Sequence, residues 1–155
     1  MENTVRELIL ANIKTTLEGI IAGAEYGNTI ASVQRWKQSG NILTSVPCII
    51  VNAGQENLEQ RPGLKTSQKL TATIDLWTRH DETVNPGSTD SYLNNLLGDI
   101  KKILMVDYTR GGYAVNTRIM SIIPFESTQG QPYAGLIIDC EIEYRHNITD
   151  PTTAV

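Results

Sequence analysis

Two cysteines, two histidines and one phenylalanine are all the chain holds of those types in 155 residues. Each scarcity narrows what it can do. Cys48 and Cys140 lie inside apolar segments, VPCIIV and GLIIDCEIEY. Two reduced core thiols, in a protein made and kept in a reducing cytoplasm, are the simplest reading, with a disulfide or metal pair as the alternative. There is no GxSxG, HExxH, paired CxxC, Walker loop or GxGxxG, so the common nucleophilic, zinc, redox and phosphate-cradling chemistries have no support, and no cofactor or metal is expected. The thirteen Lys and Arg never run more than two together, and the net charge is −4 with a pI near 5.1. That excludes the basic stripe of a general nucleic-acid binder. No apolar run nears the roughly 18 residues a membrane-spanning helix needs. The opening MENTVRELIL has no basic region before an unbroken apolar stretch, so no signal peptide is expected.

What the chain does have is a long alternation from Tyr133 to Asn147, YAGLIIDCEIEYRHN. Ala134, Leu136, Ile138, Cys140, Ile142 and Tyr144 fall on one face; Gly135, Ile137, Asp139, Glu141, Glu143 and Arg145 fall on the other. Side chains alternate across a strand, so this reads as a strand with one apolar face on a core and an acidic, wetted far side.

The upstream segments read as elements that pair with this strand or cover it. Val5, Leu8, Ile9, Ile13, Leu17, Ile20 and Ile21 recur at helical steps, predicting an amphipathic helix from Thr4 to Ala22, capped by Asn3 or Thr4 and ended by Gly23. Thr29 to Lys37 predicts a polar strand at an edge or in an interface. Val46 to Val51 predicts a short buried strand led by Pro47. Gly54 to Thr66 is polar and long for a plain connection, and reads as a binding or mobile loop. Ser67 to Arg79 predicts a strand with Leu70, Ala72, Ile74 and Leu76 inward. A polar turn follows from His80 to Pro86. Ser88 or Thr89 caps a second helix to about Leu104, with Leu93, Leu96, Leu97, Ile100, Ile103 and Leu104 inward. Gly98 suggests a close helix-to-sheet approach. Gly111-Gly112 opens a strand, Tyr113 to Ile123, stopped by Pro124, and Glu126 to Pro132 turns back into the final strand as a hairpin. The whole predicts one α+β domain over residues 1–150: a mainly antiparallel sheet with two amphipathic helices on one face, and a loose tail at 151–155.

Few residues invite chemistry. His80-Asp81-Glu82 reads as a solvated turn before a cation site, and His146 ends a strand. A Cys–His nucleophile pair would need Cys48 or Cys140 to be accessible. The ladder Asp139, Glu141, Glu143 is the least ordinary feature, with carboxylates about 7 Å apart on one face. Either Lys69, Arg79 or Arg118 pairs with it across neighbouring strands, or it forms a negative surface that repels phosphate or meets a basic partner. Trp77, on the polar face of its strand, is either covered or an interface anchor. No catalytic role is expected.

The ordered set RELILANIKTTLEGI, VPCIIVNAG, LTATIDLWTRHDE, LNNLLGDIKKILMVD and YAGLIIDCEIEYRHN resembles the tail-terminator, or tail-completion, proteins of tailed bacteriophages, over nearly the whole chain. The resemblance implies a small α+β subunit that forms a ring, typically a hexamer, at the head-proximal end of the tail tube. It implies a virion protein assembled in the host cytoplasm, with no cofactor and no membrane. Its partners would be its own copies, the tail-tube protein and the head's connector. Trp77, Arg79, Arg61, Arg35 and Trp36 are the implied interface residues. The loops Gly54 to Thr66 and His80 to Gly87 would touch neighbours or the tube. Asp139, Glu141 and Glu143 would line a channel through which DNA passes without specific binding, because like charges repel at short range even in salt. Other neck, head-closure or tube proteins remain the alternative. A small enzyme using His80 or the ladder, and a binding module anchored by Trp77, are readings of other classes.

Overall fold

Tyr133–Asn147 is a single strand over the full length of its alternation. Every residue predicted inward along it, from Ala134 to Tyr144, is buried. The structure, a computed structural model, describes residues 2–36, 45–79, 88–126 and 133–155. In chain order its elements are α1 (Val5–Glu18), β1 (Ser32–Arg35), β2 (Cys48–Arg61), β3 (Lys65–Arg79), α2 (Ser88–Val106), β4 (Asn116–Glu126), β5 (Tyr133–Asn147) and β6 (Asp150–Ala154). The six strands make one sheet ordered β1-β2-β3-β5-β4, with β6 also paired to β5. Only β1 and β2 run parallel; the remaining pairs are antiparallel. The protein is a single α+β domain.

Both helices cover the same sheet face. Ile9, Ile13 and Leu17 of α1 and Leu96, Ile100 and Leu104 of α2 join Leu70, Ala72, Ile74, Leu76, Leu136, Ile138 and Ile142 in one core. Burying such side chains stabilises by about 1.5–3 kcal/mol each, so the shared apolar face is what sets the layer order. Among the described residues no helix or strand lies on the opposite face.

Several boundaries differ from the sequence reading, each for a local reason. Helix α1 starts where the Thr4 hydroxyl accepts the Glu7 N–H at 3.2 Å, but it ends at Glu18 with Gly19 as its cap. Ile20, beyond it, is still buried, whereas Ile21 is 62% exposed; the helical spacing therefore outlasted the helix. The edge strand β1 is shorter than Thr29 to Lys37, and residues beyond 36 there lie outside the described ones. Helix α2 contains Ser88 and Thr89 and continues to Val106. Gly98 has open space around it rather than a close approach to the sheet.

The polar segment Gly54 to Thr66 is not a loop. It is strand and turn, because β2 continues to Arg61 and, after an irregularity at Gly54 and Gln55, pairs with β3 from Glu56 opposite Leu70 to Arg61 opposite Lys65. Tyr113 to Val115 belong to a turn closed by the left-handed Gly111 and Gly112, and β4 starts at Asn116. Pro124 does not stop β4, which reaches Glu126. It is an edge strand, where a missing N–H on the solvent side costs no ladder bond. The tail is not loose: Asp150–Ala154 is β6, held opposite His146 and Asn147, and its Asp150 carboxylate accepts the Thr152 and Thr153 hydroxyls at 2.6 Å each.

Candidate functional site at the open sheet face and sheet edges

The strand registers arrange the uncovered face in rows. Phe125, Gly135, Trp77 and Cys48 form one row, from β4 through β5 and β3 to β2. Ser121, Asp139, Thr73 and Asn52 form another, and Asn116, Glu143, Lys69 and Asn57 a third. One end of the face is therefore aromatic and aliphatic, and the other polar and charged.

The acidic ladder is largely answered within the chain. The Ser121 hydroxyl donates to Asp139 at 2.9 Å, Arg118 lies 3.6 Å from Glu141, and Arg145 lies 3.7 Å from Glu143. Of the cross-strand partners the sequence offers, Arg118 does pair; Arg145, on the same strand, takes the role foreseen for Lys69 or Arg79. Basic partners reach two of the three carboxylates, so the ladder is not a row of three uncompensated charges.

Trp77 is half-buried rather than an open anchor. Its ring meets Phe125 edge-on, with centroids 4.6 Å apart and planes at 65°. That contact exists because Gly135, between them in the row, has no side chain. Arg79 is exposed at the end of β3 opposite Tyr133. Arg35 faces its own chain: its guanidinium donates to both Glu7 carboxylate oxygens, at 2.6 and 3.1 Å. Those hydrogen bonds hold the Glu7 carboxyl below its ordinary pKa of 4.5. Trp36, next along, is 66% exposed and carries a φ of 60°. A bulky side chain in the left-handed region costs free energy, and such strain recurs at contact sites. Arg61 closes β2 opposite Lys65, with its side chain outside the described residues. His80 and the loop to Gly87 also lie outside them, as does the turn from 127 to 132.

The β2–β3 hairpin is anchored at its root. Tyr144 donates to Glu56 at 2.5 Å, and Arg6 stands 3.5 Å from the same carboxylate oxygen. Burial, and then the adjacent Glu56 carboxylate, push the Tyr144 hydroxyl well above its ordinary pKa. The fully buried Gln68 amide donates to the Thr66 and Tyr144 carbonyls at 3.2 Å each, and its oxygen faces the Thr66 hydroxyl and His146 Nε2 at 2.5 and 2.9 Å. The Ile148 N–H donates to the Leu64 carbonyl at 2.7 Å, tying the hairpin turn to the β5–β6 turn.

Four further features emerge only in three dimensions. Leu58 and Leu64 of the hairpin are 68% and 64% exposed, and Val106, Tyr108, Tyr113 and Val115 form an exposed apolar set where α2 turns into β4. The signal was present as apolar residues within the otherwise polar segments NLEQRPGLK and VDYTRGGYAV, but a stray apolar residue is ordinary on any surface. Arg110 is fully buried, with Nη2 donating to the Leu104 and Asp107 carbonyls at the end of α2. An open cleft of about 480 Å³ lies between the start of α2 and the β4–β5 pair, lined in part by Asp90, Leu93, Phe125 and Glu126. Both cysteines are buried and outside any disulfide, and burial pushes the Cys140 thiol up to about 12. No cluster of three His, Cys, Asp or Glu suited to a metal occurs among the described residues. Among the described residues no helix is long and apolar enough to cross a membrane.

Compared with known proteins, the sequence matches no protein-family model and no curated relative.

Proposed function

We propose that this chain is a structural subunit of a bacteriophage tail that assembles into a ring at the head-proximal end of the tube. There it ends tube growth and presents a surface to the head's connector. The observation that supports this reading best is the division of surfaces. One sheet face is buried under both helices, while exposed apolar residues collect at two opposite edges of the same sheet. Such edges suit contact between copies of one chain. The order of elements also follows the ordered segments on which the resemblance rests. DNA would pass the ring without specific binding, and the part-compensated ladder would supply weaker repulsion than three free carboxylates.

Purified chain added to growing tail tubes tests this. A terminator binds one end of the tube and halts elongation. A tube subunit is incorporated along the length, and a neck connector leaves elongation unchanged, so either of those results assigns the chain to the neighbouring alternative.

A further inference from the structure

The two exposed apolar sets occupy the same height along the strands. Leu58 is the register partner of Gln68, and Gln68 of Tyr144. On the other side of β5, Asn116 is the partner of Glu143, and the Val115 N–H donates to the Glu143 carbonyl at 2.7 Å. Leu58 and Val115 therefore stand at opposite ends of one row, Leu58 on the part of β2 that runs past its pairing with β1 and Val115 just before β4. Neighbouring strands lie about 4.8 Å apart, so the row from β2 through β3 and β5 to the β4 position separates them by roughly 14 Å.

They also share a face. Leu58 is in register with Gln68 and Tyr144, whose side chains point toward the helices and are buried. Val106 is the last residue of α2, which packs on β4 and β5, and Tyr108 lies just beyond it; α1 packs on β1, β2 and β6, and a β-carbon at Gly111 in the same turn would stand 3.4 Å from the Asn12 side-chain nitrogen of α1. Both apolar sets thus flank the helix layer, one on the β2–β3 hairpin and the other at the end of α2. The hairpin is held rigidly enough to present its set. Glu56 is fixed by Tyr144 and Arg6, and Leu64 is kept at a φ of 61° with its carbonyl bonded to Ile148 and its side chain in water. Charge is complementary as well: Lys65 is exposed beside the hairpin turn, and Asp107 sits at the root of the other set. Partial burial raises the Asp107 carboxyl, but the Thr109 hydroxyl, the Gly111 N–H and the Arg110 charge outweigh it and keep the group ionised.

We infer that the β2–β3 hairpin of one copy, through Leu58 and Leu64, docks on the Val106, Tyr108, Tyr113 and Val115 surface of the next copy. This rests on the ring reading and supplies its contact. Two different patches on opposite edges make a heterologous interface, which propagates head to tail and closes into a ring when the rotation permits. A two-fold dimer would instead need one patch to meet itself.

The test uses the full chain and two exposed substitutions, Leu58→Asp and Val106→Asp, with mass read by light scattering after size exclusion and folding checked by circular dichroism. Wild-type protein should run at a multiple of 17.1 kDa, and each variant alone as a folded monomer. Mixed, the two variants should form a one-to-one dimer and nothing larger, because each retains one intact surface and only one productive pairing exists. Folded variants that assemble like wild type would overturn this docking and leave the ring reading standing. Wild-type protein that stays monomeric at every concentration and in the presence of tail tubes would overturn both.

Discussion

The ring of Phe125 lies so close over Gly135 that a β-carbon there would stand 2.5 Å from its Cζ, and 1.9 Å from the Leu76 carbonyl oxygen. The glycine is what allows Phe125 and Trp77 to meet across β5. Replacing Gly135 with Ala forces a backbone atom aside as well as a ring, so overpacking should cost about 3 kcal/mol. Urea unfolding measures it. A loss within the ordinary surface range of about 0.5 kcal/mol would mean the row is not packed as described.

Arg35 and Glu7 give a pH-dependent prediction. The folded pKa of Glu7 lies below its ordinary value because of the Arg35 hydrogen bonds, so the unfolded chain takes up the proton first as pH falls. The stabilisation is therefore complete above about pH 4.5 and disappears as pH drops through the folded value. The Glu7 and Arg35 side chains are 43% and 31% exposed, so water screens the pair and its worth is about 0.5–1 kcal/mol. Glu7→Gln should be less stable than wild type by that amount at pH 7 and equal to it at pH 2. A gap that persists at pH 2 would assign the effect to packing.

Arg110 is charged, fully buried and placed at the end of α2. Burial draws its pKa downward, against the nearby Asp107 charge, yet a guanidinium remains protonated. Its Nη2 donates to the Leu104 and Asp107 carbonyls at the helix end, where carbonyls run short of intrahelical donors, and the Asp107 carbonyl also accepts the Arg110 N–H at 3.3 Å. Arg110→Ala should cost about 3 kcal/mol from the lost volume and the lost side-chain bonds to those carbonyls. Arg110→Met keeps most of the stem and should recover part of that loss. Equal stability of all three proteins in thermal melts would show that the capping bonds contribute nothing.

The thiols offer a simple check on the core. Cys48 and Cys140 are 2% and 1% exposed, and the Cys140 thiol is pushed up to about 12 by burial. A thiol reagent at pH 8 should label neither in the folded protein and both in denaturant. Rapid labelling of the native chain would place β2 or β5 differently.

How far the sequence disclosed this structure depends on the kind of signal. Strand β5 was readable to the residue because one of its faces is apolar throughout. The helices were readable as elements, but the end of α1 was not: Ile20 is buried beyond the helix, and apolar spacing cannot distinguish burial in a helix from burial after one. The long hairpin was hidden because Gly54 to Arg61 is polar apart from Leu58 and owes its strand conformation to pairing with β3. Pro124 misled because edge position, which excuses a proline, appears only with the sheet order. For the candidate surfaces, the acidic ladder was visible, whereas its partners Ser121 and Arg145 required the register and the fold. The Phe125–Gly135–Trp77 row and the equal height of Leu58 and Val115 are likewise relations between strands, which no single segment carries.

Electron microscopy of particles assembled with and without this chain tests the terminator role most directly. If it is a terminator, its omission should yield tails of irregular and excessive length lying apart from filled heads. Particles of unchanged tail length, normally joined to their heads, would contradict it.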